Sequence, residues 1–396
     1  MMSAGMNRGD SVIDFEQLVS KYVGADYAVA MPQARVGIYL SIKALVQPGQ
    51  NVILSPYTIS DVVNMVICAG AVPVFADIER ETCNIDPERV AALINDDTGA
   101  VLITHFYGLA CDVEKINAIC APRGVPVIED AAQAFGTRIG NRLAGTLGDV
   151  GVFSFGMIKT PTSFFGGMVV SNNGEFAKRI REMIDACQPQ SFSRLMIRVM
   201  KALLLDVATY QPVFRILTYR IFRLGHLKNI KFLKQTMNVD LNPVMRRSIP
   251  KNYLVHWSPL QARVVLEQIP LVDDRIKTRI AAAQMYHDGL KDIDGLILPP
   301  LRTDRSHSYC YFPIQCNERD KLVDHCMRQH RDIGASHHRN CASMACFKDY
   351  QRDCPNSEAV ARSLVYLPTY PSYTESEIKE NIRVIRDFFA SENLCA

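Results

Sequence analysis

The sequence is short of every feature that would place it outside the ordinary globular proteins. Nowhere do about eighteen uncharged apolar residues follow one another, so no membrane-spanning helix is expected. The opening stretch MMSAGMNRGDSVIDFEQLV carries neither the apolar run nor the small-residue cleavage site of a signal peptide. Neither sign of charge dominates. There are 44 Lys and Arg against 41 Asp and Glu, and the net charge of +3 is too small for this length to argue for nucleic acid. The 12 cysteines are scattered and form no CxxC pair. That argues against a disulfide framework, as does a chain long enough to build a core without staples. Free thiols in a reducing, cytoplasmic setting are expected.

What is present fits a larger domain joined to a smaller one. The chain has 396 residues, with 48% hydrophobic and 21% charged, enough to bury a substantial core. Residues 10–30 read as an amphipathic helix through Val12, Phe15, Leu18, Val19 and Tyr22. A second helix, 34–46, stops at Pro48-Gly49. Short apolar runs then alternate with helical stretches. The runs begin at Val52, Pro73, Ala100, Val125, Gly151 and Gly167, and the alternation predicts a mostly parallel sheet covered on both faces. From residue 257 the pattern becomes a long helix (258–293), a strand near 308–314, and helices at 318–330 and 375–391. The expected division is a large α/β domain over 1–256 and a smaller α+β domain over 257–396.

Two places carry chemistry. In Ile128-Glu129-Asp130-Ala131-Ala132-Gln133 an apolar strand ends in acids, and ligands of open α/β sheets sit beyond the carboxyl ends of strands. Asp130 there suits a metal, a ribose or a pyridinium nitrogen. It serves equally well as a turn residue or helix cap. Lys159 follows the run Gly151 to Phe155 and sits among Met157, Ile158, Phe164 and Phe165. Apolar company lowers an ammonium pKa, and a neutral amine is what a Schiff base requires. The plainer alternative is a lysine snorkelling from a loop. Taken together, Lys159, Asp130, Ser154 and the start of the 34–46 helix supply what pyridoxal phosphate (PLP) demands: an amine, an acid for the ring nitrogen and a phosphate cradle.

The order and spacing of several further motifs match one family. They are Pro48 to Ile53, Gly70 to Ile78, Asn84-Ile85-Asp86-Pro87, His105-Phe106-Tyr107-Gly108, Glu129 to Ala134, Gly148-Asp149 with Phe153-Ser154-Phe155, and Leu367-Pro368-Thr369-Tyr370-Pro371. On these residues the chain resembles the DegT/DnrJ/EryC1/StrS family of PLP-dependent aminotransferases, many of which aminate nucleotide-linked keto sugars. The resemblance implies an aspartate-aminotransferase-like α/β fold and a homodimer. It implies Lys159 as the Schiff-base and proton-transferring lysine, Asp130 at the pyridine nitrogen and Gln133 at the ring hydroxyl. Ser154 would hold the phosphate with the backbone of Ala34 and Arg35, and Tyr57 would lie on a loop over the ring. Glutamate is the expected amino donor and a keto sugar, nucleotide-linked or lipid-linked, the expected acceptor. His337 and His338 fall where such proteins approach substrate. A non-catalytic protein of this fold, working at a membrane surface or in regulation, and a PLP-dependent dehydratase are the alternatives.

The chain departs from the family at Ala34-Arg35, where Gly-Thr or Gly-Ser is usual, at Ile59 in place of an aromatic residue, and at Thr160-Pro161 after the lysine. Arg35 is placed either to meet the phosphate or to point into solvent. The stretch 194–234 contains nine Lys and Arg and one acid, Asp206, interleaved with Leu, Ile, Val, Met and Phe. Such a composition suits a helix lying on an anionic bilayer, a packed hairpin, a diphosphate-binding face or an ordinary insertion. Pro212 is expected to divide it. Cys326, His330, His337, His338, Cys341 and Cys346 do not follow a zinc spacing, so no metal is expected.

Overall fold

A computed structural model of the chain describes residues 10–228, 243–336 and 338–393. Its centre is a seven-stranded sheet built from β1 (Tyr27–Met31), β2 (Asn51–Leu54), β3 (Val72–Phe75), β4 (Thr98–Thr104), β5 (Val127–Asp130), β6 (Val150–Ser154) and β7 (Gly167–Ser171). The strand order is β1-β7-β6-β5-β4-β2-β3. Strands β2 to β6 run parallel, while β7 lies antiparallel to both β6 and β1.

The strands are apolar on both faces because helices cover both. Val52, Leu54, Leu102, Ile128, Val152 and Val169 point into one core, under the helices Ala34–Leu45, Ser60–Cys68 and Gly174–Asp185. Their chain neighbours Ile53, Val101, Ile103 and Val127 enter a core on the other face. Phe153, Met168 and Val170 enter a third. This is the period-2 alternation of a strand with no solvent side.

The helix expected over 10–30 ends earlier, at Val23. Gly24, at φ +77°, turns the chain, and Tyr27–Met31 becomes the edge strand β1. The long helix expected over 258–293 is also interrupted. Ser258 caps a helix Pro259–Leu266 with a capping box, Pro270 lies in a 3₁₀ turn, and the helix Val272–Leu290 follows. A proline ring removes a donor and clashes with the preceding turn, so one continuous helix is excluded.

The hydrophobic cores do not change at residue 256. Trp257, Ala262, Val265, Ile269, Val272 and Ile276 pack with Val12, Phe15 and Val19 of the first helix. Further along the same helix, Ala282, Ala283, Tyr286 and Leu290 join a separate core with Phe312, Ile314, Val365 and Phe388. The change of core falls within Val272–Leu290. That second core sits on an antiparallel sheet of β8 (Leu296–Ile297), β9 (Phe312–Cys316), β10 (Gly334–Ala335) and β11 (Leu364–Leu367), in the order β8-β9-β11-β10. The chain then returns to the first domain. Arg339–Asn340 pairs with Tyr57–Thr58, and Cys341, Ala342, Phe347 and Cys354 complete a large-domain core.

The basic insertion forms a helix Phe192–Thr209, a break at Tyr210, and a second helical stretch ending in Tyr219–Leu227. Pro212 lies in the first turn after the break, where its missing N–H costs nothing. Lys231 and Lys234 lie outside the described residues.

Candidate active site

The carboxyl ends of β5 and β6 carry the two chemical groups. Glu129 and Asp130 are consecutive on β5, so they face opposite ways and do different work. Glu129 is fully buried. Its carboxylate accepts from Gly145 N–H (2.8 Å), Leu147 N–H (2.7 Å), Gly148 N–H (2.6 Å) and His105 Nε2 (2.9 Å). Burial alone would raise its pKa, but the His105 bond and these N–H groups hold it below the usual carboxylate range. His105 Nδ1 accepts from Cys111 N–H at 3.0 Å, which leaves the proton on Nε2 and the ring neutral. The unassigned His105 of the His-Phe-Tyr-Gly motif is therefore a brace.

Replacing Glu129 by Gln leaves several inward donors facing one amide that itself brings donors. The expected loss is about 3 kcal/mol of stability, read as a lower midpoint in urea at unchanged slope. An unchanged midpoint would show that the carboxylate does not brace the loop.

Asp130 is buried and accepts from Ala132 N–H at 3.0 Å. Burial pushes its pKa up, against the Ala132 N–H, the Lys159 charge and the Thr104 hydroxyl. Lys159 shows the opposite shift. Burial lowers its pKa, opposed by Cys310 and Asp130. Lys159, Gln133, Ser154, Ala132, Arg275 and Cys310 line one cavity between the two domains. Gln133 Oε1 accepts Tyr107 N–H at 3.1 Å, which turns its NH₂ group to other partners. Tyr107 adopts φ +57° and Gly108 φ +84°. A Cβ on Gly108 would fall 2.1 Å from Ser308 Oγ, so only glycine fits there.

The loop bearing Lys159 is held from outside. Gln268 Nε2 donates to Thr162 O at 2.8 Å, and its Oε1 accepts Thr162 N–H at 3.2 Å. Trp257 Nε1 donates to Phe165 O at 3.0 Å, and Gln261 Nε2 donates to the Ser163 and Phe165 carbonyls. Arg279 Nη1 donates to Cys310 O (2.8 Å) and Tyr309 O (3.1 Å), while its Nη2 reaches Thr160 Oγ1 (3.5 Å). It thereby joins the lysine loop to the second domain. None of these positions was marked by a motif. A signal did exist: Arg275 and Arg279 recur at i, i+4 beside Val272 and Ile276, charge on an otherwise apolar face.

The geometry suits PLP. The helix Ala34–Leu45 begins at Gln33 with no side-chain cap, so its first N–H groups are available to a phosphate. A Cβ on Gly167 would sit 2.6 Å from Ala34 N, so glycine keeps the approach to that helix end open. Ser154 Oγ is engaged only by a long contact, 3.4 Å, from Gly156 N–H. The Arg35 side chain takes neither expected course. It pairs with Asp61 and lies over the Tyr253 ring, 5.6 Å from its centroid.

Tyr57 and His338 also sit differently from expectation, because both are buried. Tyr57 Oη meets Tyr107 Oη and Ser336 Oγ at 2.8 Å each. His338 Nδ1 lies 2.9 Å from Tyr366 Oη, in ring contact with Tyr57, Phe106 and Tyr107. This cluster backs the cavity through Tyr107 and Gln133 and does not line it. His337 lies outside the described residues. Among the described residues no group of His, Cys, Asp and Glu is placed to hold a metal ion.

A mostly parallel sheet with one reversed strand, and a half-buried lysine within electrostatic reach of a buried acid at its carboxyl edge, define an aspartate-aminotransferase-like α/β protein. Residues 1–199 and 251–386 match the DegT/DnrJ/EryC1/StrS aminotransferase family, and the chain belongs to it. It is 28% identical over 398 residues to a spore coat polysaccharide biosynthesis protein of Bacillus subtilis, covering 97% of this chain and 91% of that one. It is 39% identical over 168 residues to GDP-perosamine synthase of Vibrio cholerae, covering 42% of this chain and 46% of that one. Among solved structures, a DegT/DnrJ/EryC1/StrS aminotransferase from Brucella abortus superposes with TM-score 0.76 at 22% identity, covering 98% and 92% of the two chains. The Helicobacter pylori aminotransferase of pseudoaminic acid biosynthesis gives 0.75 at 18%, covering 97% and 92%.

Proposed function

We propose that the protein is a PLP-dependent aminotransferase, active as a homodimer, that moves an amino group from L-glutamate to a keto sugar carried on a nucleotide or a lipid. The observation that carries the reading is Lys159 in a cavity at the carboxyl edge of the sheet, within electrostatic reach of the buried Asp130, each shifted by burial toward its neutral form. The likeness to the Vibrio GDP-perosamine synthase and the Helicobacter aminotransferase of pseudoaminic acid biosynthesis supports a sugar acceptor.

The cofactor, when bound, supplies an electron sink for the carbon losing its proton. The chain's own residues do the rest. Asp130 would face the ring nitrogen and its charge would keep that nitrogen protonated. Gln133 donates from its NH₂ group to the ring oxygen. Ser154 and the N–H groups at Ala34 and Arg35 hold the phosphate. Lys159, with its lowered pKa, takes and returns the proton through Nζ. Arg275 offers a guanidinium to the carboxylate of the donor.

The test is to load the protein with PLP, add glutamate without acceptor, and measure 2-oxoglutarate. One equivalent per cofactor is expected, followed by transfer of the nitrogen to a nucleotide-linked keto sugar. Absence of 2-oxoglutarate would overturn the reading in favour of a non-catalytic protein. Loss of water from the sugar without nitrogen transfer would favour a dehydratase.

A further inference from the structure

The stretch 200–250 lies outside the match to the family, so most of the helical pair begun at Phe192 is an addition to the common fold. Its inward side is already used. Leu195 and Ala202 are buried on the first helix. Tyr219 enters the small-domain core, Arg223 Nε donates to Met327 O at 2.7 Å, and His226 Nε2 meets Asp324 at 2.6 Å. The outward side is nevertheless apolar. Twelve of the nineteen large apolar side chains exposed among the described residues fall between Phe192 and Leu224. That is too dense for the scattered exposure normal on a soluble surface.

The arrangement is ordered. Ile197, Met200, Leu204 and Val207 recur at i, i+3, i+7 and i+10, one stripe of the helix, exposed at 56, 56, 63 and 60%. Arg194, Arg198 and Lys201 recur at i, i+4 and i+7 and form the adjoining stripe. Phe192 and Tyr210, 74 and 64% exposed, stand at the two ends. Ile216, Leu217, Ile221 and Leu224 extend the apolar surface onto the second helical stretch. At the foot of the first helix an open cavity is lined by Arg194, Arg198 and Lys251 and, among the described residues, by no carboxylate. No helix among the described residues is long and apolar enough to cross a membrane, so the face lies on its partner.

We propose that this inserted pair docks on an anionic lipid bilayer, with Ile197, Met200, Leu204 and Val207 at the acyl boundary and Arg194, Arg198 and Lys201 among the headgroup phosphates. Charge selects this occupant. A second copy would set basic stripe against basic stripe, whereas an anionic surface complements the stripe while taking up the apolar edge. Aromatic residues at both helix ends suit the interfacial depth. Arg198 also lies over the Phe165 ring, 4.7 Å from its centroid, in the loop that carries Lys159. Docking would therefore bring the active-site loop close to the bilayer. The inference does not depend on the aminotransferase reading.

The test is sedimentation of the full-length, PLP-loaded protein with vesicles of equal parts phosphatidylglycerol and phosphatidylcholine, and with phosphatidylcholine alone. Binding to the anionic vesicles alone is expected, weakening as salt rises. Ile197→Asp with Leu204→Asp, and separately Arg194→Glu with Lys201→Glu, should each weaken it by about tenfold or more. The melting temperature should be unchanged in both variants, which separates failure to dock from failure to fold. Absence of vesicle binding at low salt, or binding that both variants retain, overturns the proposal. A change of oligomeric state in the Asp variant without vesicle binding also overturns it, and makes the face a contact between copies.

Discussion

Lys159→Ala is expected to lower the conversion of glutamate by about 10³-fold or more while leaving the fold intact. Lys159 Nζ is the proposed proton-transferring group, and among the described residues no other lysine lines the cavity. The loop that carries it is held by Gln268, Trp257 and Gln261 through its backbone, so loss of the side chain does not release the loop. Burial opposes the ammonium form, so the parent protein without cofactor carries a cost that alanine lacks. A lysine with a lowered folded-state pKa costs most below that value, and the cost fades as pH climbs toward the ordinary lysine range. The variant should therefore melt no lower than the parent near neutral pH, and its advantage should shrink in alkali. Residual activity within tenfold of the parent would remove Lys159 from the chemistry. A large drop in melting temperature would make it a structural residue.

What the sequence disclosed, and what it withheld, follows from the range of the interactions. The parallel strands were legible because each is an apolar run between turns, and Lys159, Asp130, Gln133 and Ser154 were legible because they lie at or just past strand ends. The edge strand Tyr27–Met31 was not. It follows an amphipathic helix after only a short turn, and its pairing partner Gly167–Ser171 is remote in the chain. Many of the motif residues that carry the resemblance prove to be braces. Asp77 accepts Ser357 N–H at 2.9 Å and Ser357 Oγ–H at 2.6 Å. Asn84 accepts Phe106 N–H at 2.9 Å and donates to Leu109 O at 3.1 Å. Thr369 donates to Tyr309 O at 2.6 Å. Each bond ties segments distant in sequence, so a motif can mark such a residue without telling a brace from a ligand. Arg279 carried no motif, because its shortest bonds go to backbone carbonyls that any residue would supply.

Asp130→Asn should lower turnover by roughly 10²- to 10³-fold and weaken retention of PLP, with little loss of fold. The amide keeps an oxygen to accept Ala132 N–H, so local structure survives. What disappears is the negative charge that makes a protonated ring nitrogen favourable. The sign of the stability effect is informative. Burial raises the Asp130 pKa, so folding favours the protonated acid. Stability from this group is greatest below the ordinary carboxylate range and is lost as pH rises through the raised folded-state value. Near neutral pH the cofactor-free parent bears the cost of a buried carboxylate that its neighbours only partly offset, and asparagine does not. The cofactor-free variant should then melt at or above the parent, while added PLP should raise the melting point of the parent more than that of the variant. Equal stabilisation of both by PLP would mean that Asp130 does not meet the ring nitrogen. The predicted reversal, with the parent the less stable protein when empty and the more strongly stabilised when loaded, is what a site built for a cation it does not itself contain should show. Lys159 obeys the same logic with the opposite charge, so both residues hold the empty cavity in a state that binding relieves.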